Sequence, residues 1–132
     1  MMHPDDQPAD AARPRAVAYY RHSAQDRQED SIEGQRERIR EWAETNGVEI
    51  VEEFADAGDP GLDAENRAAF SEMMEQWVKR KDDFQYVLCV DITRWGRFED
   101  IGTSSQHTAE CERHGKQVIY TTTATPREDA LL

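Results

Sequence analysis

Arg21 and Ser23 stand two residues apart, and Arg94 and Arg97 stand three apart. A further arginine, Arg67, leads into an apolar stretch that opens with Phe70. A serine hydroxyl among several guanidinium groups suits attack on a phosphate. Serine is a weak nucleophile until something activates it. Arginine offers planar, paired donors that fit phosphate oxygens, and it never loses its charge. Cations at a transferring phosphorus stabilise the charge that grows in the transition state. Taken singly, each pair has an ordinary explanation. An Arg-x-Ser at a strand end is most often a solvated loop start, and two arginines three apart are most often the start of a surface helix.

The elements that must position these residues follow from hydrophobic period and turn chemistry. Ala16 to Tyr20 is short, apolar and aromatic, and predicts a buried first strand ending near Ser23. Side chains two apart share a strand face, so Tyr19, Arg21 and Ser23 point one way if the strand persists that far. Ser31 is placed as the N-cap of a helix over about 32–45, with Ile32, Ile39, Trp42 and Ala43 near one face. Asn46-Gly47 ends it, because both residues tolerate a left-handed backbone. Val48 to Phe54 is a second strand, followed by a loop through Asp56, Gly58, Pro60 and Gly61. A helix over about 66–81 carries Phe70, Met73, Met74, Trp77 and Val78 as an amphipathic stripe, read as core. Gln85 to Val90 is a continuous apolar run, as in the centre of a parallel sheet. A third helix over about 103–114 stops at Gly115, and Lys116 to Tyr120 is a fourth strand. This alternation predicts an open α/β three-layer sandwich with a mostly parallel sheet of four to five strands. In such sheets sites gather at the carboxyl ends of strands, near the point where strand order reverses. Arg21 with Ser23, Asp56 through Arg67, and Asp91 through Arg97 each fall at such an end.

Composition narrows the function classes. The chain has 132 residues, 37% hydrophobic and 33% charged, which suits one water-soluble globular domain. No apolar run approaches the roughly 20 residues of a bilayer span. No basic flank precedes an apolar stretch at the start, and two cysteines in separate elements make no disulfide framework, so a cytoplasmic setting is expected. His3, His22, His107 and His114 lack metal-ligand spacing, although His107 and His114 could share a helix face. The net charge of −12 opposes simple DNA binding, which draws affinity from lysine and arginine. Residues 1–14, with Pro4, Pro8, Pro14 and three aspartates, are read as a disordered leader.

Four segments together resemble one family. Tyr19-Tyr20-Arg21-His22-Ser23 is similar to the Tyr-x-Arg-x-Ser opening of resolvases, invertases and large serine recombinases. Ser31-Ile32-Glu33-Gly34-Gln35-Arg36 resembles the Ser-x-x-x-Gln-Arg of their first helix. Asp56, then Arg67 before Phe70, resembles their loop-plus-arginine segment, and Thr93-Arg94-Trp95-Gly96-Arg97 their Asp-Arg-Leu-x-Arg. The match spans about residues 15–121, in order and spacing. The resemblance implies the N-terminal catalytic domain of a serine site-specific recombinase, with a domain over 15–125 and a helix beginning at 126–132. It implies a covalent link between serine and a 5′-phosphate of DNA, a free 3′-hydroxyl, and strand exchange within a synaptic tetramer built from dimers, with no metal and no nucleotide cofactor. Carried over by position, Ser23 is the nucleophile. Arg21, Arg67, Arg94 and Arg97 bind and activate the phosphate, and Tyr19, Gln35 and Asp56 support them.

The sequence also departs from that pattern. Thr93 stands where the family has aspartate. Asp91, two residues earlier and on the same face if the strand continues, is the candidate to take over that carboxylate role. Pro60 stands where the loop usually has serine, and Asp59 adds negative charge near the expected phosphate. The long dimerisation helix and the DNA-binding domain of family members are expected to be missing, so these residues alone should bind DNA weakly. Two other readings stay open: a recombinase-derived regulator with an impaired site, and an α/β ligand-binding module without chemistry.

Overall fold

The computed structural model is described over residues 13–22, 31–57, 67–95 and 101–122. In chain order these hold β1 (Arg15–His22), α1 (Ile32–Asn46), β2 (Glu49–Ala57), α2 (Ala68–Glu72, running on as a π-helical turn over Met73–Val78), β3 (Tyr86–Cys89), α3 (Ile92–Trp95), α4 (Ile101–Arg113) and β4 (Gln117–Tyr120). The four strands form one parallel sheet in the order β2-β1-β3-β4. The expected α/β class and parallel sheet are therefore present. Strand order reverses between β1 and β3, which makes the carboxyl ends of these two strands the crevice of the fold.

β1 is central, and Ala16 through Tyr20 are 0% exposed. Its alternating side chains divide the core in two. Val17 and Tyr19 join Phe54, Phe70, Met73, Met74, Val78, Val87, Trp95 and Cys111 on one face. Ala16, Ala18 and Tyr20 join Ile39, Ala43, Val48, Leu88 and Ile119 on the other. The helix signals act where they were expected. Ser31 Oγ accepts from the Gly34 amide at 3.2 Å, and Gly47 closes α1 at φ 71°. Gly115 follows α4 at φ 79°.

Three local expectations need correction. β2 continues through Asp56, so that residue lies in a strand and not in the loop after it. It does so because Arg21 and His22 extend β1 and pair with Asp56 and Ala57. β2 also carries a register shift opposite Ala16/Val17, with Ala16 opposite Ile50 but Val17 opposite Glu52. Strict alternation would put Ile50 and Phe54 on one face. The extra residue sends Ile50 to the Tyr20 face and Phe54 to the Tyr19 face. The helix expected over 66–81 starts at Ala68, and its second half widens, with the Lys79 amide bonding back to the Met74 carbonyl. The wide turn keeps Met73, Met74 and Val78 buried and Trp77 half-buried against the sheet. The apolar stripe is core, as read. Finally, β3 stops at Cys89 and the chain turns into α3 at Ile92, so Asp91 and Thr93 do not share a strand face.

Candidate active site

The geometry centres on the end of β1. The β1–β3 ladder ends at Ala18 opposite Leu88. Beyond it Arg21 still presents an amide and a carbonyl that need partners. Gln35, fully buried on α1, supplies both. Its Oε1 accepts from the Arg21 amide at 3.2 Å and its Nε2 donates to the Arg21 carbonyl at 2.8 Å. The side-chain amide thus stands in for an absent strand, and it keeps β1 extended up to the position before Ser23.

Arg94 is 7% exposed, an unusual setting for a guanidinium. It stands two residues into α3, and its Nη1 donates to the same Arg21 carbonyl at 3.1 Å. This bond crosses the point where strand order reverses. Asp91 is half-buried at the turn, and its carbonyl accepts from the Arg94 amide at 3.1 Å, so it helps start α3.

On the same face, Tyr19 Oη donates to Asp56 Oδ2 at 2.7 Å and accepts from Arg67 Nε at 3.1 Å. Burial pushes the Tyr19 hydroxyl well above its ordinary titration range, and Arg67 offsets this only in part. Tyr19 therefore keeps its proton and bonds as a donor to Asp56. Asp56 does a second job. Its Oδ1 accepts from the Ala69 amide at 2.9 Å and its Oδ2 from the Phe70 amide at 3.0 Å. Arg67, the N-cap residue, makes no side-chain cap, so a carboxylate from β2 caps α2 in its place. Arg67 in turn spans to α3. Its Nη2 donates to the Trp95 carbonyl at 2.7 Å and to the Arg94 carbonyl at 3.4 Å, and its guanidinium lies 4.0 Å over the Phe70 ring.

The structure thus brings together Tyr19, Arg21, Gln35, Asp56, Arg67 and Arg94, from five segments distant in sequence. Asp91 lies at the edge of this group. Ser23, Arg97, Gly58, Asp59, Pro60 and Gly61 lie outside the described residues, as do the leader to residue 12 and residues 123–132. Trp95 and Phe70, which seat Arg67, were read only as a motif neighbour and a core residue. The clue to both was position: each sits beside an arginine at a strand's carboxyl side. Among the described residues no group of three or more His, Cys, Asp or Glu is arranged to hold a metal ion. His114 instead meets Glu110 at 3.2 Å, and His107 packs on aromatic rings. No helix among the described residues is long and apolar enough to cross a membrane.

Comparison with known proteins agrees with the fold. Residues 16–132 match the family model described as the resolvase N-terminal domain. A resolvase family site-specific recombinase from Streptococcus pneumoniae is 30% identical, with a TM-score of 0.65, over 89% of this chain and 74% of that one. The C-terminal catalytic domain of ISC1926 TnpA, an IS607-like serine recombinase, is 24% identical with a TM-score of 0.66 over 81% of this chain and 70% of that one. The N-terminal catalytic domain of TP901-1 integrase is 20% identical with a TM-score of 0.64 over 88% of this chain and 78% of that one. A search of curated proteins returned no match.

Proposed function

The chain belongs to the resolvase N-terminal-domain family of serine recombinases, and on that premise we propose that it cleaves and rejoins DNA strands in site-specific recombination, with Ser23 as nucleophile. In this reading Ser23 Oγ forms a bond to the scissile phosphorus, the bond from phosphorus to the 3′-oxygen breaks, and the serine proton leaves as the 3′-oxygen gains one. A 5′-phosphoserine link and a 3′-hydroxyl result. Rejoining reverses these steps on a new partner strand. No metal or nucleotide is assigned a part.

The observation that carries the reading is that arginines of an acidic chain are held, buried or half-buried, at the carboxyl ends of β1 and β3. Arg94 reaches the Arg21 carbonyl, and Arg67 reaches the Arg94 and Trp95 carbonyls. The guanidiniums of Arg94 and Arg67 thus end on backbone carbonyls at the carboxyl sides of β1 and β3, although the chain carries a net charge of −12. Arg97 is assigned to the same phosphate. Tyr19, Gln35 and Asp56 act by holding β1 and Arg67 in place, and Asp91 supplies a carboxylate at the α3 turn, tested by cleavage with Asp91→Asn.

Covalent trapping tests the proposal. The intact protein on a nicked suicide duplex carrying its crossover site should yield a protein–DNA adduct that Ser23→Ala abolishes. An adduct that survives Ser23→Ala, or none at all with the wild type, would overturn it. The acidic charge also implies that residues 1–132 alone bind duplex DNA poorly at physiological salt, because few counterions are released. A tight gel shift by these residues would contradict that. Dimers and a synaptic tetramer belong to the same reading, with cytoplasmic action on a mobile element's DNA.

A further inference from the structure

Phe70 is the common seat of the corner described above, and an ionisable group lies against it. Arg67 lies over its ring, while Tyr19 and Trp95 meet it edge to face, with ring centres 5.2 and 5.1 Å away. His107 of α4 joins the same ring, centre to centre 4.9 Å and nearly perpendicular. It is also 6.4 Å from Trp95 at 89°. The half-buried imidazole therefore sits in an aromatic cluster that also seats the Arg67 guanidinium.

The charge around it is one-sided. Burial holds the His107 pKa below the ordinary 6.5, and the positive Arg67 pushes the same way. Asp56 of β2 is engaged by Tyr19 and by two amides of α2. Glu110, one turn along α4, faces Lys79, Arg113 and His114. Arg94 of α3 is turned to the Arg21 carbonyl. Burial keeps Tyr19 of β1, Cys89 of β3 and Tyr120 of β4 protonated, and pushes the Cys111 thiol of α4 up to about 12. None of these groups offers a protonated imidazole a compensating negative charge.

We infer that His107 is a positioning residue for Arg67: as a neutral imidazole it packs the Phe70 and Trp95 rings that seat the guanidinium, and on protonation it drives that guanidinium out of its seat. The effect on strand cleavage rests on the phosphate reading above; the coupling between His107 and Arg67 does not. The sign follows from the cluster. A proton on His107 adds positive charge beside Arg67 in a half-buried aromatic cluster, so the seat is intact above the imidazole's titration and loosened below it.

Two measurements on the intact protein test this. The first is an NMR titration from about pH 8 to pH 5, bracketing an ordinary imidazole, that follows the Arg67 Nε–H resonance in wild type and in His107→Phe. Phenylalanine keeps a ring edge against Phe70 but cannot gain a proton. The wild-type Arg67 resonance should move as His107 titrates, and the movement should vanish in His107→Phe. An Arg67 resonance that never moves, or that moves equally in both, overturns the inference. The second measurement is adduct formation against pH. The wild-type rate should fall about tenfold, as a full unit of unfavourable coupling would give, between pH 7.5 and 5.5, with the fall absent in His107→Phe. An equal fall in both proteins overturns the positioning role. If no adduct forms at any pH, the cleavage reading fails while the NMR titration still decides the inference.

Discussion

Two neighbouring tyrosines build two corners of similar chemistry on opposite faces of one sheet. Tyr19 and Tyr20 are both 0% exposed. Each hydroxyl donates to a carboxylate on β2, Asp56 at 2.7 Å and Glu53 at 2.8 Å. Each ring carries a guanidinium, Arg67 at 5.1 Å and Arg36 at 5.3 Å. Burial raises the titration range of both phenols. The difference lies in what else the partners hold. Asp56 caps α2, and Arg67 reaches on to α3, so the Tyr19 corner ties β1, β2, α2 and α3 together at the crevice. Glu53 accepts a paired contact from Arg40 Nε and Nη2 at 2.9 and 2.8 Å, and Arg36 lies 3.5 Å away. Both arginines come from α1, so the Tyr20 corner only clamps one helix to the sheet. Similar pairs yield a candidate active site on one face and a surface clamp on the other because, of the two, the Tyr19 corner reaches α3 beyond the carboxyl end of β3.

Substitutions in the two corners can break or sharpen this contrast. The largest effect is expected from Arg67→Ala, which removes both the proposed phosphate cation and the bridge to α3. Adduct formation should fall by about 100-fold or more, the scale of losing one transition-state donor. Arg40→Ala should leave the rate within about twofold, as for an exposed ion pair. Comparable losses in single-turnover assays of the two variants would show that the corners do not differ in function.

Stability should separate the carboxylates next. Asp56→Ala removes a helix cap and strands a buried hydroxyl, so urea unfolding should report a loss of about 3 kcal/mol. Glu53→Ala strands a hydroxyl nearer the surface and should cost about 1 kcal/mol. Equal costs would deny the second job assigned to Asp56. Tyr19→Phe and Tyr20→Phe should each cost about 1 kcal/mol, the net worth of one hydrogen bond, yet only Tyr19→Phe should slow adduct formation. A slowed Tyr20→Phe variant would move the boundary of the site.

The smallest effect is a pH dependence of the clamp. The hydrogen bonds from Arg40, then from Tyr20, hold the Glu53 carboxyl below its ordinary 4.5, against the opposing effect of burial. Its stabilisation is therefore complete above that value and is lost as pH falls through the lowered one. Unfolding midpoints in urea between about pH 5 and pH 3, the carboxylate range, should drop less steeply in Glu53→Gln than in wild type. Parallel curves would remove Glu53 from the account.

Much of the layout was legible in the chain. Ser31, Gly47 and Gly115 act through their own backbone or a neighbour's, so local chemistry placed both ends of α1 and the end of α4. The apolar run at Val87 to Val90 and the stripe from Phe70 to Val78 marked a buried strand and a core helix face. The resemblance singled out Arg21, Gln35, Arg67 and Arg94, and the structure brings these four together at the carboxyl end of β1.

The contacts among those residues were not legible. The face on which Phe54 and Asp56 emerge depends on a one-residue register shift in β2, which nothing in its alternation reveals. The cap of α2 comes from a carboxylate 13 residues away, where Arg67 in the N-cap position makes no cap of its own. His107 carries no signal of its own, since only packing puts it on Phe70. The sequence by itself determined most of the elements and the parallel class of the sheet, because those follow from periods and caps within a few residues, and it listed the cations outright. Only the tertiary structure decided which carboxylate meets which tyrosine, and hence which of two similar corners faces the crevice, because those pairings depend on register and crossover between distant strands.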